Sequence, residues 1–299
     1  MVSGIMGRVP FGRHASWLWV CLALCVSPAP ALDDVARPSV MSTNLCADLL
    51  LLRIADPAQI RSVSRQSQDP RLSSIADRAR AYPANRGGVE DLLYFKPDIA
   101  LVYQGWMGRR HAERLAGQGI EVVALPYPKG WNDALQTART IAARIGRAEA
   151  GAALADAFER RMQALARSGH EQAPRLLYLR PSGGTAGPGT YVDDLITRLG
   201  LRNLAAEQGI KGWGRFPLER LASTPPDVFL LGYFDQAQSP ARSAYGRHPL
   251  LRSLLERTPV IGLPGHAWGC GGLELLDVAE RLSEQLADIE QTRSRTPSP

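Results

Sequence analysis

Short apolar runs alternate with amphipathic stretches along most of this chain. Residues 38–44, 60–63, 99–103 and 121–125 read as strands or strand exits. Residues 47–54, 73–81 and 111–117 carry helical spacing between them. The same alternation returns later, with strands at 175–179 and 260–263 and helices at 191–199 and 273–286. Strands alternating with helices predict a mostly parallel sheet. From 132 to about 168 the pattern is helical almost throughout. Within it, Leu154, Phe158, Met162 and Leu165 form one stripe on an Ala-rich helix. A helix of about 18 residues spans roughly 27 Å. Its place between the two alternating halves makes it either a rigid spacer or an ordinary surface helix.

A nine-residue pattern occurs once in each half. Glu90, Leu92, Pro97 and Asp98 recur in register as Glu219, Leu221, Pro226 and Asp227. Leu101 and Leu230 follow at matching places. Each copy reads as a short helix stopped at Pro, a turn at Asp, and a fully apolar strand. Such a strand suits a parallel sheet covered on both faces. The expected fold is therefore α/β, with two lobes of mostly parallel sheet and a ligand cleft between them. The boundaries read from the pattern are 38–147 and 174–290 for the lobes and 148–168 for the joining helix. Residues 291–299 read as a disordered tail.

The remaining features narrow the function. Residues 1–31 read as a cleaved leader: Arg8, Arg13 and His14 precede an apolar stretch at 17–26, and Ala29 and Ala31 supply a cleavage site. A lipid-modified Cys25 is the alternative, although Leu24 departs from that pattern. An exported, soluble chain is expected. The net charge of +6 is spread thinly, with no basic block of the kind that binds nucleic acid. Beyond the leader only Cys46 and Cys270 remain. Both follow strands, and three states stay open: a disulfide clamping the lobes, a pair of soft-metal ligands, or two buried thiols.

Candidate catalytic chemistry is missing. The Gly-rich stretch at 181–189 matches neither a P-loop nor a dinucleotide fingerprint. No G-x-S-x-G elbow follows the leader. The histidines His111, His170, His248 and His266 share no metal-binding spacing. No cofactor, metal site or catalytic residue is expected. The tryptophans are more informative. Trp106, Trp131, Trp213 and Trp268 each lie beside a glycine, in loops, several just past strand ends. Ligands of open α/β sheets bind there. The rings either line a cleft or cap the cores of their own lobes.

These residues together carry a resemblance. The opening Ser42-Thr43-Asn44-Leu45-Cys46-Ala47-Asp48, the Glu90–Asp98 and Glu219–Asp227 units, the midpoint helix, Gly200–Leu204 and Trp268–Gly272 resemble the periplasmic substrate-binding proteins of ABC importers for iron chelates and cobalamin. The resemblance covers about 38–288. It implies two α/β lobes joined by one long helix, and a monomer that captures a metal chelate in the periplasm. The chelate would be a cobalamin-like corrinoid, a ferric siderophore or haem. It would be delivered to an inner-membrane ABC permease, with Glu90 and Glu219 docking to permease arginines, away from the cleft. The ligand-contacting set is expected among Asn44, Cys46, Tyr103, Trp106, Tyr127, Trp213, Arg215, Tyr233, Trp268 and Cys270. Asn44, Cys46, Trp268 and Cys270 are not general to that family and mark a subgroup. A secreted two-lobed hydrolase and a free-metal binding protein are the competing readings. The first needs a nucleophile with a base, and the second needs converging His, Asp or Glu.

Overall fold

Two parallel sheets carry the architecture. The computed structural model describes residues 37–106, 109–167, 173–234 and 244–295. The leader at 1–31, His170 and the last tail residues lie outside the described residues. The first sheet has the order β3-β2-β1-β4-β5, from β1 (Val40–Ser42), β2 (Ile60–Ser64), β3 (Ala84–Asn85), β4 (Ile99–Tyr103) and β5 (Glu121–Leu125). The second has the order β11-β10-β6-β8, from β6 (Arg175–Leu179), β8 (Arg202–Asn203), β10 (Val228–Gly232) and β11 (Val260–Leu263). Every pairing within these two sheets is parallel. A small antiparallel ribbon joins β7 (Gly184–Ala186) to β9 (Trp213–Arg215).

The strands obey the two-residue period of a sheet buried on both faces. In β4, Ile99 and Leu101 face one core while Ala100 and Val102 face another. In β6, Leu176 and Tyr178 face that same first core, and Leu177 and Leu179 face a third. Val228 and Leu230 of β10 divide from Phe229 and Leu231 in the same way. So each sheet has its own outer core, but the inner faces of both sheets share one.

Five helices supply the shared layer: α1 (Leu45–Ile54), α5 (Trp131–Arg144), α6 (Ala148–Ala164), α7 (Tyr191–Arg198) and α11 (Leu275–Arg295). Leu51, Ile141, Met162, Leu195 and Leu282 come from these five and lie in a single cluster. The α5–α6 packing is close enough that a Cβ on Gly151 would stand 2.1 Å from the Ala142 Cβ. Arg161 of α6 pairs with Glu280 of α11 at 2.6 Å.

The repeated units have a common structural basis. Each forms a short helix and strand: α3 (Val89–Phe95) into β4, and α9 (Leu218–Ser223) into β10. Leu92 and Leu221 are fully buried. The two Asp residues do more than turn the chain. The Asp98 carboxylate accepts from the Ser39 backbone N–H at 2.7 Å, and Asp227 accepts from the Arg175 N–H at 2.8 Å. Each ties its strand to the amino end of the central strand beside it.

Some expected elements differ. The helix expected at 73–81 is only one turn, α2 (Ala76–Ala79). The residues at 291–295 continue α11 to Arg295 instead of starting a disordered tail. No Gly or Pro interrupts the helix before Pro297. The helix α10 (Pro249–Arg257) was not anticipated; its His248 cap accepts from the Leu250 N–H, and Pro249 starts the first turn.

Cys46 and Cys270 form a disulfide, with Cα atoms 5.4 Å apart and a separation of 224 positions in sequence. This resolves the three states left open by the sequence and removes the soft-metal alternative. The bond ties the first turn of α1 to the loop after β11. For a loop this long the chain-entropy model gives about 5 kcal/mol, and measured bridges give typically about 2–4 kcal/mol. Cys46→Ser combined with Cys270→Ser is therefore expected to lower unfolding stability in urea by about 2–4 kcal/mol. An unchanged midpoint would show that the shared core alone fixes the two sheets.

Candidate functional site

Each sheet has a point where its connections leave in opposite directions. In the first it lies between β1 and β4, and in the second between β6 and β10. Crevices outside the carboxyl ends of the strands at such points are where open α/β sheets hold ligands.

At the first, a cavity of about 470 Å³ opens over the strand exits. Thr43 and Asn44 line it from β1, Arg65 from β2, Arg86 from β3, and Tyr103 and Trp106 from β4. Asn44 caps α1, its Oδ1 accepting from the Ala47 N–H at 3.1 Å. Its buried Nδ2 has no partner among the described residues. Tyr103 is 54% exposed. Trp106 is both wall and core: it packs with Met41, Leu92 and Val102, and its indole N–H donates to the Gly87 carbonyl at 2.9 Å. Gly87 has a φ of 77°, and a Cβ there would stand 2.6 Å from the Thr43 carbonyl oxygen. Only glycine lets the β3 exit approach the β1 exit this closely.

A buried carboxylate holds the floor of this cavity. Asp48 of α1 is fully buried. It accepts from the Ser42 and Ser64 hydroxyls and from the Ser64 backbone N–H. One side chain thus links α1 to the carboxyl ends of β1 and β2. Burial pushes its pKa up to about 6, against the opposing pull of its hydrogen bonds.

The second switch point is filled with rings and a cation. Arg180 follows β6, and its Nε donates to the Tyr178 hydroxyl at 3.0 Å. Its guanidinium carbon lies 4.8 Å from the ring centroids of both Trp213 and Tyr233. Trp213 is 42% exposed, and Tyr191 lies 5.3 Å from it. Arg215, two residues along β9, lies over the Tyr245 ring at 5.4 Å.

Several contacts close one side of the two switch points. Tyr127, in the loop after β5, lies 6.0 Å from Tyr191 of α7. The Trp131 backbone N–H donates to Asp194 at 2.7 Å, and Arg53 of α1 pairs with Asp277 of α11 at 3.4 Å. The disulfide lies in the same seam.

The structure redistributes the expected ligand-contacting residues. Asn44, Tyr103 and Trp106 come together at the first cavity. Trp213, Tyr233 and Tyr127 belong to the ring cluster and its seam, and Arg215 lies beside it. Trp268 is wholly buried beneath Tyr178, with ring centroids 5.0 Å apart, so it offers no surface to a ligand. Cys46 and Cys270 are consumed by their bond. Trp131 is a core residue, its indole N–H donating to Glu159. Arg65, Arg86, Arg180 and Tyr191 were not anticipated. All but Tyr191 sit at the first positions after predicted or short strands, where the switch-point rule applied to every strand would have found them.

Glu90 and Glu219 are both exposed, at the second position of α3 and α9. In these units the helix begins at the carboxyl edge of the sheet, and Gly87, three residues before Glu90, lines the cavity. Glu90 itself is not among the residues that line the cavity. Among the described residues, no group of three or more His, Cys, Asp or Glu converges as a metal site.

A profile described as periplasmic binding protein matches residues 40–241. The chain belongs to the periplasmic binding protein family. Solved structures agree with that fold. The periplasmic heme-binding protein RhuT from Roseiflexus sp. RS-1, in apo form, is similar at a TM-score of 0.65 and 20% identity, over 84% of this chain and 98% of that one. The periplasmic heme-binding protein HutB of Vibrio cholerae is similar at 0.62 and 21%, over 83% and 98%. The periplasmic vitamin B12 binding protein BtuF of Vibrio cholerae is similar at 0.59 and 17%, over 85% and 98%. No curated protein gives a significant match. This periplasmic binding protein has its open surfaces at the strand exits of its two sheets.

The Asp48 carboxyl yields a test of the cavity floor. Its folded pKa of about 6 lies above the unbound value of 3.8. The native state therefore holds the proton more tightly than the unfolded chain. This contribution to stability is complete below about pH 3.8 and is lost as pH rises through about 6, by up to about 3 kcal/mol. Asp48→Asn keeps an acceptor for the Ser64 N–H and removes the titration. Relative to the parent, the variant is expected to gain stability between pH 4 and pH 7.5. Parallel pH–stability curves for the two proteins would contradict the shift.

Proposed function

We propose that this protein captures a metal chelate in the periplasm and passes it to an ABC permease of the inner membrane. The chelate is a cobalamin-like corrinoid, a ferric siderophore or haem. The observation that carries this reading is the pairing of chemistries at the two switch points. A cavity of about 470 Å³ lies at one, and exposed aromatic surface lies at the other. Large, partly apolar chelates need both volume and ring contact. Family membership supports the binding role. The haem- and vitamin B12-binding descriptions of the similar structures support the ligand class.

The linking of both sheets through one core and a disulfide suits capture with small closing motion rather than a wide hinge. Glu90 and Glu219, matched in position on two similar helices, supply a pair of exposed carboxylates for permease arginines. Both also sit favourably in the first helical turn, so the docking role is separable only by transport.

Two measurements test the reading. Intrinsic fluorescence titration of the exported protein with cyanocobalamin, haemin and a panel of ferric siderophores is expected to show saturable binding to one of these classes. Trp213→Ala is expected to weaken that binding by about 2 kcal/mol, roughly thirtyfold. No binding to any class would overturn the proposal. In the second, Glu90→Ala with Glu219→Ala is expected to leave chelate affinity within about twofold, far below the 1.4 kcal/mol of a decade. Uptake into vesicles carrying the permease is expected to fall severely. Normal uptake would reduce both residues to helix-start carboxylates.

A further inference from the structure

The second switch point holds a cation without a counter-charge. Arg180 is the first residue after β6, and its backbone is fixed by hydrogen bonds with Gly184 and Gly183 at 2.8 Å each. Its Nε–H is committed to Tyr178. Among the described residues, no acceptor engages its two terminal nitrogens and no carboxylate pairs with it. Rings take the place of an acid: Trp213 and Tyr233 each stand 4.8 Å from the guanidinium carbon, and Tyr178 stands 5.8 Å away. Stacking on ring faces stabilises a cation while leaving its edge donors open.

The Tyr233 backbone adds an independent sign. Its φ is 65°, in the left-handed region that a bulky residue rarely occupies. It directly follows β10, the strand next to β6, and that conformation presents its ring over Arg180. Strain of this kind persists where surrounding structure enforces it, and it clusters at ligand sites. A glycine at this position would remove the strain and the ring together. The side chain present is the one that stacks on the cation.

The first cavity has the same charge sign. Arg65 and Arg86 line it, no carboxylate lines it, and neither arginine has an acidic partner among the described residues. Cations on both strand-exit surfaces favour an anionic occupant.

We propose that Arg180 is the anion anchor of the cleft. The ligand carries an oxyanion, carboxylate or phosphate, that the two terminal nitrogens of the guanidinium receive while the ligand's flat body covers Trp213. Arg180 thereby separates chelates that carry an oxyanion from those that do not. This rests on the chelate-binding reading above and adds the chemical group by which the ligand is recognised. The planar fork of Arg suits a two-oxygen acceptor, which Lys meets only as a point charge.

Paired probes test it. Haemin is compared with haemin dimethyl ester, and cyanocobalamin, which carries a phosphodiester, with dicyanocobinamide, which does not. The two pairs also distinguish a carboxylate from a phosphate source. The parent protein is expected to prefer the oxyanion-bearing member of the pair it binds by about tenfold or more, in keeping with a charged hydrogen bond. Arg180→Gln is expected to lose that preference by weakening the oxyanion-bearing member alone, and Arg180→Lys to retain part of it. Equal weakening of both members, or no preference in the parent, would overturn the proposal. Citrate supplies a readout that needs no chelate: it is expected to perturb Trp213 fluorescence in the parent and not in Arg180→Gln. Absence of chelate binding with the citrate effect intact would remove the chelate reading and leave the anchor. Absence of the citrate effect would remove the anchor. Matched melting curves for Arg180→Lys and the parent keep either result from being a folding defect.

Discussion

Parallel strands buried on both faces leave almost no place for polar chemistry except their ends. That constraint organises this protein. The central strands are apolar because each side chain meets one of three cores. The amino ends are closed by Asp98 and Asp227, each accepting a backbone N–H from the neighbouring central strand. The carboxyl ends remain, and there the chain places arginines that have no carboxylate partner among the described residues, partly exposed rings, and an Asn44 amide whose Nδ2 has no partner among them. Asp48 shows how strictly the rule holds. A carboxylate buried beside the strand ends survives only by taking hydrogen bonds from both strand exits, and even then its proton is held more tightly than in water.

The two halves are not free bodies on a tether. Their inner faces contribute to one hydrophobic cluster, in which α6 is one of five shared helices. Cys46–Cys270, Trp131–Asp194, Arg53–Asp277 and the Tyr127–Tyr191 ring contact then close a single side. The disulfide begins at the second residue of α1, next to Asn44, which lines the first cavity. Covalent constraint and open cavity therefore meet within one helical turn. A large reorientation of the sheets would have to break the shared core as well as the seam, which makes small adjustments of strand-exit loops the accessible motion.

Much of the fold was legible because it rests on local rules. Apolar runs of four or five residues gave the strands, and the Glu-to-Asp unit gave the correspondence of the halves. Residues 73–81 misled because their mixture of Ala and charge looks helical, while the chain there serves as a mostly irregular link between β2 and β3. The site was less legible. Glycine beside tryptophan suggests loops, but only Trp106 lies in one: Trp131 starts α5, Trp213 starts β9 and Trp268 ends a 3-10 turn, and the pattern does not distinguish a wall from a floor. Trp213 sits on a ribbon that opens to solvent, whereas Trp268 sits on a 3-10 turn covered by Tyr178 and Tyr191. Arg180 carries no local signature at all. Its meaning comes from Trp213 and Tyr233, far along the chain, which only the topology brings to the end of β6.

The same scaffold is used differently in its two halves. At the first switch point, small and polar exits (Thr43, Asn44, Gly87) leave an open volume, with Trp106 turned inward to pack on the outer core. At the second, Arg180 and the rings of Trp213 and Tyr233 come together at the strand exits. Trp268 belongs to this second arrangement as a layer beneath the surface. It packs under Tyr178 at 5.0 Å, accepts the Tyr191 hydroxyl through its carbonyl, and stands within 3.1 Å of the place a Cβ on Gly232 would occupy. Tyr178 in turn holds the Nε of Arg180, and Tyr191 packs against Trp213. A buried indole therefore fixes the two tyrosines that set the cation and the exposed ring above them.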